Sequence, residues 1–454
     1  MKTKLSLFVL IVLACLGPIK GDEAAARPQV RSRGPDGEYG LLYQLVENTV
    51  MTQKLVGTEC HMFNFLRFLD AGYVELTDGT HIVLDLKDYP TSKVTSTRYD
   101  RYFYIGTPTN PLIEIFGFQM FDWDVAGQTL WAADFAGHDP TAMTLPEGDR
   151  FPGDVAAAPG NRYLLYPLTE KRSTSPAQAT GAVAGRYDPF VSDSSLVISD
   201  LSNGDQRTVL SDSYNRQLFV SFADFSADGN SFYTLAREGD GFKFVKIALD
   251  SGAVSDFREL FPNFDWNGVE WDSFFPRTND MAYAHFTVSP DETRLIAYKD
   301  ILSVNPADPC NVEAAHHLWL FDFERNTIEA YRDQPARVED AAWKADSSAL
   351  ALALVSRAGC YPGDMDSRID LFDRDGRLLG NLVSEPKSKI TTIGWSPDSR
   401  VIAYDVYGTD FIGRLKLVDV STKDVGEFIN TQELGYAVSQ TKPVTLVFAD
   451  WIVR

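Results

Sequence analysis

Ile393-Gly-Trp395-Ser-Pro-Asp398-Ser-Arg-Val-Ile-Ala-Tyr404 joins a short apolar segment to a stronger one through a turn of Ser-Pro-Asp-Ser type. Val155-Ala-Ala-Ala-Pro159-Gly-Asn-Arg-Tyr-Leu-Leu-Tyr166 aligns with it without a gap. Phe225-Ser-Ala-Asp228-Gly229, Val288-Ser-Pro-Asp291-Glu292 and Trp343-Lys-Ala-Asp346-Ser347 carry the same turn, each followed by a second apolar run. Downstream of each copy a third run ends in a polar turn, as in Leu196-Val-Ile-Ser-Asp200 before Ser202-Asn-Gly204 and Ile369-Asp-Leu-Phe-Asp373 before Asp375-Gly376. A fourth run follows, as in Arg207-Thr-Val-Leu210.

These runs are short and bounded by Gly, Pro, Asp and Ser, which is strand punctuation. An amphipathic helix would need apolar residues at i, i+3, i+4 and i+7 over about ten residues. Four strands per repeat, with aligned positions 157, 225, 288, 343 and 395, describe the blades of a β-propeller. Residues 39–150 fit the repeat poorly but hold strand-like stretches at 73–76, 81–86, 101–105, 112–118 and 129–133, room for two more blades. Residues 443–453 (PVTLVFADWIV) form a terminal strand, expected to close the ring because an unpaired edge invites aggregation. The predicted fold is all-β: a single propeller over 39–454 with seven four-stranded blades, six or eight being the alternatives. The Ser-Pro-Asp turn and apolar-Ala-Tyr strand resemble the TolB-type propeller repeat, a relative of the WD-type blade, over about 155–430. That resemblance implies a fold, and no single function: such propellers serve as periplasmic scaffolds, peptidase filters and occasionally lyases.

Composition agrees with a folded chain. Apolar residues make up 44% and charged residues 23%, with 23 Pro and 32 Gly among 454 residues, unlike a disordered or collagenous sequence. The 29 Phe, 19 Tyr and 8 Trp suit aromatic-rich β structure. The net charge of −21, with no local basic patch, repels phosphate backbones and excludes nucleic acid as an expected partner.

Lys2 and Lys4 precede an apolar run at 5–16, long enough for a signal-peptide core and too short for a ~20-residue membrane span. Val12-Leu-Ala-Cys15 resembles the bacterial lipobox, with Val where Leu is usual, and implies lipidation of Cys15. Ordinary cleavage a few residues later is the alternative. Residues 1–15 thus read as a signal peptide and 16–38, rich in Pro, Gly, Ala and charge, as a flexible tether. The expected location is the periplasm or outer membrane as a lipoprotein, or alternatively the medium. Contact with a membrane is expected only through the N-terminal lipid, and the protein is expected to be monomeric. The absence of Asn-x-Ser/Thr fits a bacterial source. Cys310 and Cys360 lie at matching distances before Asp322 and Asp373, in equivalent loops of consecutive blades. An oxidising compartment permits a disulfide between them, with Cys60 left as a thiol.

Catalytic signatures are weak. Gly394-Trp-Ser396-Pro-Asp398 lacks the second glycine of a nucleophile elbow and lies in a blade turn. The six histidines show no His-x-x-x-His spacing, and the adjacent His316 and His317 point to opposite faces of a strand. Asp364-x-Asp366-x-x-x-Asp370 lacks the glycine and terminal glutamate of an EF-hand. No catalytic residue, metal or cofactor is therefore assigned.

Connectivity does single out a surface. In an A-B-C-D meander the B–C and D–A connections emerge on one face, and the extra length falls there, around 169–194, 301–315 and 356–367. A long D–A connection at 260–280 carries Phe264, Asp265, Trp266, Glu270, Trp271 and Asp272. Long loops with aromatics beside carboxylates suit recognition. The expected function is an envelope-anchored, non-enzymatic binding or scaffold protein that holds a protein or glycan on this face, with Trp266 and Trp271 as anchors. Two alternatives stand beside it: the aromatics fold back as a satellite core, or the protein is a polysaccharide lyase or hydrolase acting at the channel mouth.

Overall fold

Each Ser-x-Asp stretch forms a tight turn in a computed structural model describing residues 39–55, 59–77, 79–90, 94–96, 101–107, 113–114, 129–145, 150–152, 155–160, 162–170, 194–214, 223–238, 241–266, 281–304, 312–334, 336–357, 365–439 and 442–453. Ser226 Oγ donates to Asp228 at 2.6 Å and accepts from Ser231 N at 2.8 Å. Ser289 repeats this with Asp291 (2.7 Å) and Arg294 N (2.9 Å), and Ser396 with Asp398 (2.6 Å) and Val401 N (3.0 Å). The aspartates accept a further backbone N–H two residues on, from Asn230, Thr293, Ser348 and Arg400. The turn thereby satisfies its own backbone groups. One residue of each copy takes a left-handed conformation: Gly229, Glu292, Ser347 and Ser399. Gly229 is also required by space, since a Cβ there would lie 1.7 Å from the Pro159 carbonyl oxygen.

Seven antiparallel sheets follow, each running from strand A to strand D. Blade 1 is Val444–Val453, Tyr39–Leu55, Glu59–Glu75 and His81–Val83; blade 2 has a broken A strand, Tyr89–Pro90 and Thr95–Ser96, then Arg101–Thr107, Thr129–Asp134 and Thr141–Ala142. Blade 3 likewise has Arg150–Pro152 with Ala156–Ala157, then Tyr163–Glu170, Ser194–Asp200 and Gln206–Tyr214. Blade 4 is Ala223–Phe225, Ser231–Glu238, Gly241–Ala248 and Val254–Asp256; blade 5 is Met281–Val288, Arg294–Val304, Val312–Asp322 and Thr327–Gln334. Blade 6 is Arg337–Trp343, Ala349–Arg357, Met365–Asp373 and Leu378–Glu385; blade 7 is Ser388–Trp395, Val401–Gly408, Gly413–Asp419 and Val425–Asn430. The C-terminal strand closes the ring, with Val453 opposite Tyr39 and Val444 opposite Glu47. Both the seven blades and the closure match the sequence-based expectation.

The apolar cores lie between blades. Ile402, Tyr404 and Val406 of blade 7 meet Ala351, Ala353 and Ile369 of blade 6, and Leu446, Phe448 and Trp451 of blade 1 meet Ala403, Leu415 and Leu417 of blade 7. Consecutive A strands are also tied by half-buried aspartates, which identifies A as the inner strand, where the circumference is smallest. Asp224 Oδ2 accepts from Val288 N and Thr287 Oγ1, both at 2.8 Å; Asp340 Oδ2 accepts from Ile393 N at 2.8 Å. Asp405 of strand 7B accepts from Phe448 N at 3.1 Å.

Burial pushes the Asp224 carboxyl up to about 6, against the hydrogen bonds from Val288, Thr287 and Phe225 that favour its ionised form. The folded protein then holds this proton more tightly than the unfolded chain. The resulting stabilisation is full below the unfolded value of 3.8 and is lost as pH rises through about 6. Between pH 5 and 7 this removes about 1 kcal/mol. Asp224→Asn keeps a carbonyl acceptor and is expected to flatten that slope in urea titrations. A wild-type slope in the variant would show that another group carries it.

Candidate recognition face

The connectivity gives the ring two unlike faces. The A–B and C–D turns make one, and its carboxylates are occupied locally. Asp200 Oδ1 accepts from Ser202 N at 3.0 Å, Asp373 Oδ1 from Asp375 N at 3.0 Å and Asp419 Oδ1 from Ser421 N at 2.8 Å. Burial alone would raise Asp200, but hydrogen bonds from Arg162 and Ser202 outweigh it and hold the carboxyl at about 2. Lys344 and Ser348 hold Asp346 at about 2. On the other face the B strands of blades 3, 5 and 6 end, at Glu170, Val304 and Arg357, and their C strands begin, at Ser194, Val312 and Met365.

An arm rises on that second face. Strand 1B pairs with strand 1A only as far as Glu47, while its pairing with 1C continues to Leu55 opposite Glu59. Residues 48–55 and 59–66 thus form a two-stranded extension of roughly 25 Å at ~3.3 Å per residue. Ile113 and Glu114, from the B–C connection of blade 2, pair with Leu66 and Phe65 at its base. Among the described residues, 48–55 have a strand partner on one side only.

Where the inner strands reach this face, charged groups gather. Glu339 of strand 6A lies between Arg337 (3.2 Å) and Lys389 of strand 7A (3.4 Å). Behind it, burial, followed by the Asp340 and Glu339 carboxylates, pushes the Tyr298 phenol well up, so it keeps its proton. His285 stacks on Tyr298 at 5.5 Å between ring centroids. The side chains of Arg337 and Lys389 are about one-third exposed and can offer N–H donors to ligand oxygens.

The residues singled out in the sequence are placed as follows. Asp256 caps a single helical turn, Phe257–Leu260, after which the chain folds back. Phe264 is buried; Trp266 packs against it with ring centroids 4.7 Å apart and planes tilted by 55°, lies 5.8 Å from Phe323 of the blade 5 C–D turn, and donates its Nε1–H to the Phe261 carbonyl at 3.1 Å. Phe264 and Trp266 therefore pack into the core between blades 4 and 5, as a satellite cap, because Phe321 and Phe323 supply the apolar surface they cover. Asp265 is exposed beside them. Glu270, Trp271 and Asp272 lie outside the described residues, as do Cys15, Cys310 and Cys360. Asp366 accepts from Lys387 N, and Asp370 from Arg368 and Asn381, so these carboxylates serve blade 6 itself. The arm was missed in the sequence, although Gly57 between Thr49-Val-Met-Thr52 and Met62-Phe-Asn-Phe65 carries the punctuation of a hairpin. Among the described residues no helix is long and apolar enough to cross a membrane.

Comparison of the sequence with protein-family models and with curated proteins finds no match. Solved structures with a similar course of the chain include TolB from Acinetobacter baumannii, at 12% identity and TM-score 0.37, covering 90% of this chain and 82% of that one. A prolyl endopeptidase is similar at 11% identity and TM-score 0.46 over 84% of this chain, which spans about half (49%) of the endopeptidase. Oligogalacturonate lyase in complex with manganese is similar at 12% identity and TM-score 0.38, over 59% of this chain and 62% of that one. The fold assignment rests on the strand pairing of this chain, not on these likenesses.

Proposed function

We propose that this chain is a binding protein that holds a protein partner on its loop-rich face, with the arm as the element that reaches it. The observation that carries this reading is the extension of strands 1B and 1C past the end of strand 1A. A strand paired on one side offers a row of N–H and C=O groups to a partner's strand, and flanking loops supply specificity. Trp271, Glu270 and Asp272 belong to the sequence between Trp266 and Met281, and they are proposed as loop contacts. Residues 48–66 can be replaced by Asn-Gly, joining Glu47 to Arg67, which face each other across the hairpin. The trimmed protein is expected to melt like wild type while recovery of its partner from detergent-solubilised envelope falls at least tenfold. Unchanged recovery from a folded, trimmed protein would refute the arm's role.

The alternative of a polysaccharide lyase or hydrolase draws on the Arg337, Glu339, Lys389 and Tyr298 group at the channel mouth. Polysaccharide turnover that is lost in Glu339→Gln and kept in the trimmed protein would move the assignment there.

The proposal includes export, an acyl anchor on Cys15, and a Cys310–Cys360 disulfide. Those two cysteines lie in the B–C connections of adjacent blades. A non-reducing peptide map of protein from its source cells is expected to show an acylated N-terminal Cys15 peptide and a linked Cys310–Cys360 pair. A free thiol at either residue, or an unmodified Cys15, overturns the corresponding part.

A further inference from the structure

A cavity of about 270 Å³ lies between blades 5 and 6, walled by Leu, Ile and Val side chains of both. Nine residues past the aligned position stand Tyr166 in blade 3 and Tyr404 in blade 7, both fully buried, but Thr234, Ala297 and Leu352 in blades 4, 5 and 6. At the wall between blades 5 and 6, Leu352 leaves open a space that a larger ring would fill.

The same wall holds an unmet hydrogen-bond donor. Trp395 Nε1–H donates to the Ala342 carbonyl at 2.9 Å and Trp451 Nε1–H to the Gly394 carbonyl at 3.1 Å, each reaching the A strand of the preceding blade. Trp343 is the same residue one repeat earlier. It lines the cavity, is 9% exposed, and its Nε1–H has no partner. A buried donor left unpaired is costly, and a ligand with an acceptor atom would recover that cost.

Charge at the wall selects against anions. Arg368 Nε lies 2.8 Å from Asp370 Oδ2, so its guanidinium is matched, and Asp373 adds a second carboxylate. Leu378, 56% exposed, marks the outer rim through which a ligand would enter.

We propose that this cavity binds a neutral, largely apolar small molecule with one carbonyl-type acceptor that pairs with Trp343 Nε1–H. A cavity of about 150 Å³ is enough for benzene, so this one suits a ring bearing a short substituent. The site is independent of the recognition face.

Three probes of equal heavy-atom count separate the features: acetophenone, isopropylbenzene and benzoate. Titration calorimetry on the full chain is expected to show acetophenone binding at least tenfold more tightly than isopropylbenzene, and no heat from benzoate. Trp343→Phe keeps an aromatic ring and should reduce acetophenone to the level of isopropylbenzene. Leu352→Phe should abolish binding of both and raise the melting temperature. The proposal is overturned if no probe binds, if acetophenone has no advantage over isopropylbenzene, if benzoate binds as well, or if Trp343→Phe leaves the preference intact. Should Leu352→Phe fail to fold, the Trp343→Phe result still decides.

Discussion

Removal of residues 444–453 is expected to abolish the cooperative unfolding transition, leaving a chain that elutes as aggregate or expanded monomer. The lost strand pairs with Tyr39 to Glu47 along its length and supplies Leu446, Phe448, Trp451 and Ile452, all at least 95% buried, to two inter-blade cores. At about 1.5–3 kcal/mol per buried side chain, those four alone approach the 5–15 kcal/mol that holds a typical domain folded. Loss of the strand also removes the hydrogen bond from Phe448 N to Asp405, which keeps those from Thr391 and Thr392, and exposes the edge of strand 1B. A graded version of the test is Trp451→Ala, expected to cost about 3–5 kcal/mol as a large-to-small core change. Urea unfolding followed by circular dichroism checks both; a truncated chain with a wild-type midpoint would mean that the ring does not need its closing strand.

Arg294→Ala is expected to destabilise by about 3–5 kcal/mol. Arg294 is 2% exposed and opens strand 5B, a position held by Ser231, Ala349 and Val401 in other blades. Its guanidinium lies 2.9 Å from Asp322, which is 5% exposed, and 3.2 Å from Glu324. Arg374 of blade 6 joins the network through Glu324 at 3.1 Å and Asp291 at 3.4 Å, and so ties the C–D turns of blades 5 and 6 together. Truncating the arginine leaves the buried Asp322 with only the exposed Arg325 guanidinium, at 3.6 Å, as counter-charge. Replacing both partners, Arg294→Met with Asp322→Leu, should restore most of the loss, since a buried pair adds little beyond an apolar one. If the double variant is as unstable as the single one, the network holds the blades by geometry and not by charge balance.

Blades 4, 5 and 7 are legible in the sequence because their A–B turns need particular atoms: a hydroxyl to relay two hydrogen bonds, a carboxylate two residues on, and a residue that tolerates a positive φ; blade 6 keeps the carboxylate, Asp346, and blade 3 keeps only the spacing of apolar runs about a Pro-Gly turn. Blade 1 hides for a topological reason. Its A strand is at the far end of the chain, so no turn joins A to B and the signature has nowhere to form. Blade 2 hides because Ser96-Thr-Arg-Tyr-Asp100, between its A and B strands, matches neither the Ser-Pro-Asp turn nor the Pro-Gly turn of the other copies. The recognition surface is legible as a direction, through loop lengths, but not as a list of side chains. Trp266 is the instructive case: an aromatic in a long polar connection reads as an anchor until Phe321 and Phe323, remote in sequence, are found to lie under it. Glu339 and Lys389 carry no local pattern at all; only the neighbouring of two inner strands brings them together.

The way the ring shuts has a consequence for how the protein is made. Strand Tyr39–Leu55 has its partner in Val444–Val453, at the opposite end of the ring's sequence. Contacts between the two span almost the whole chain, the most costly kind to form by diffusion, and come late in folding. Blades 2 to 7 can assemble in sequence as hairpins emerge, whereas the first sheet waits, incomplete and with an open edge, until Val444–Val453 has been made. That interval, rather than the finished ring, is when this chain is most open to proteases and to pairing with other copies of itself.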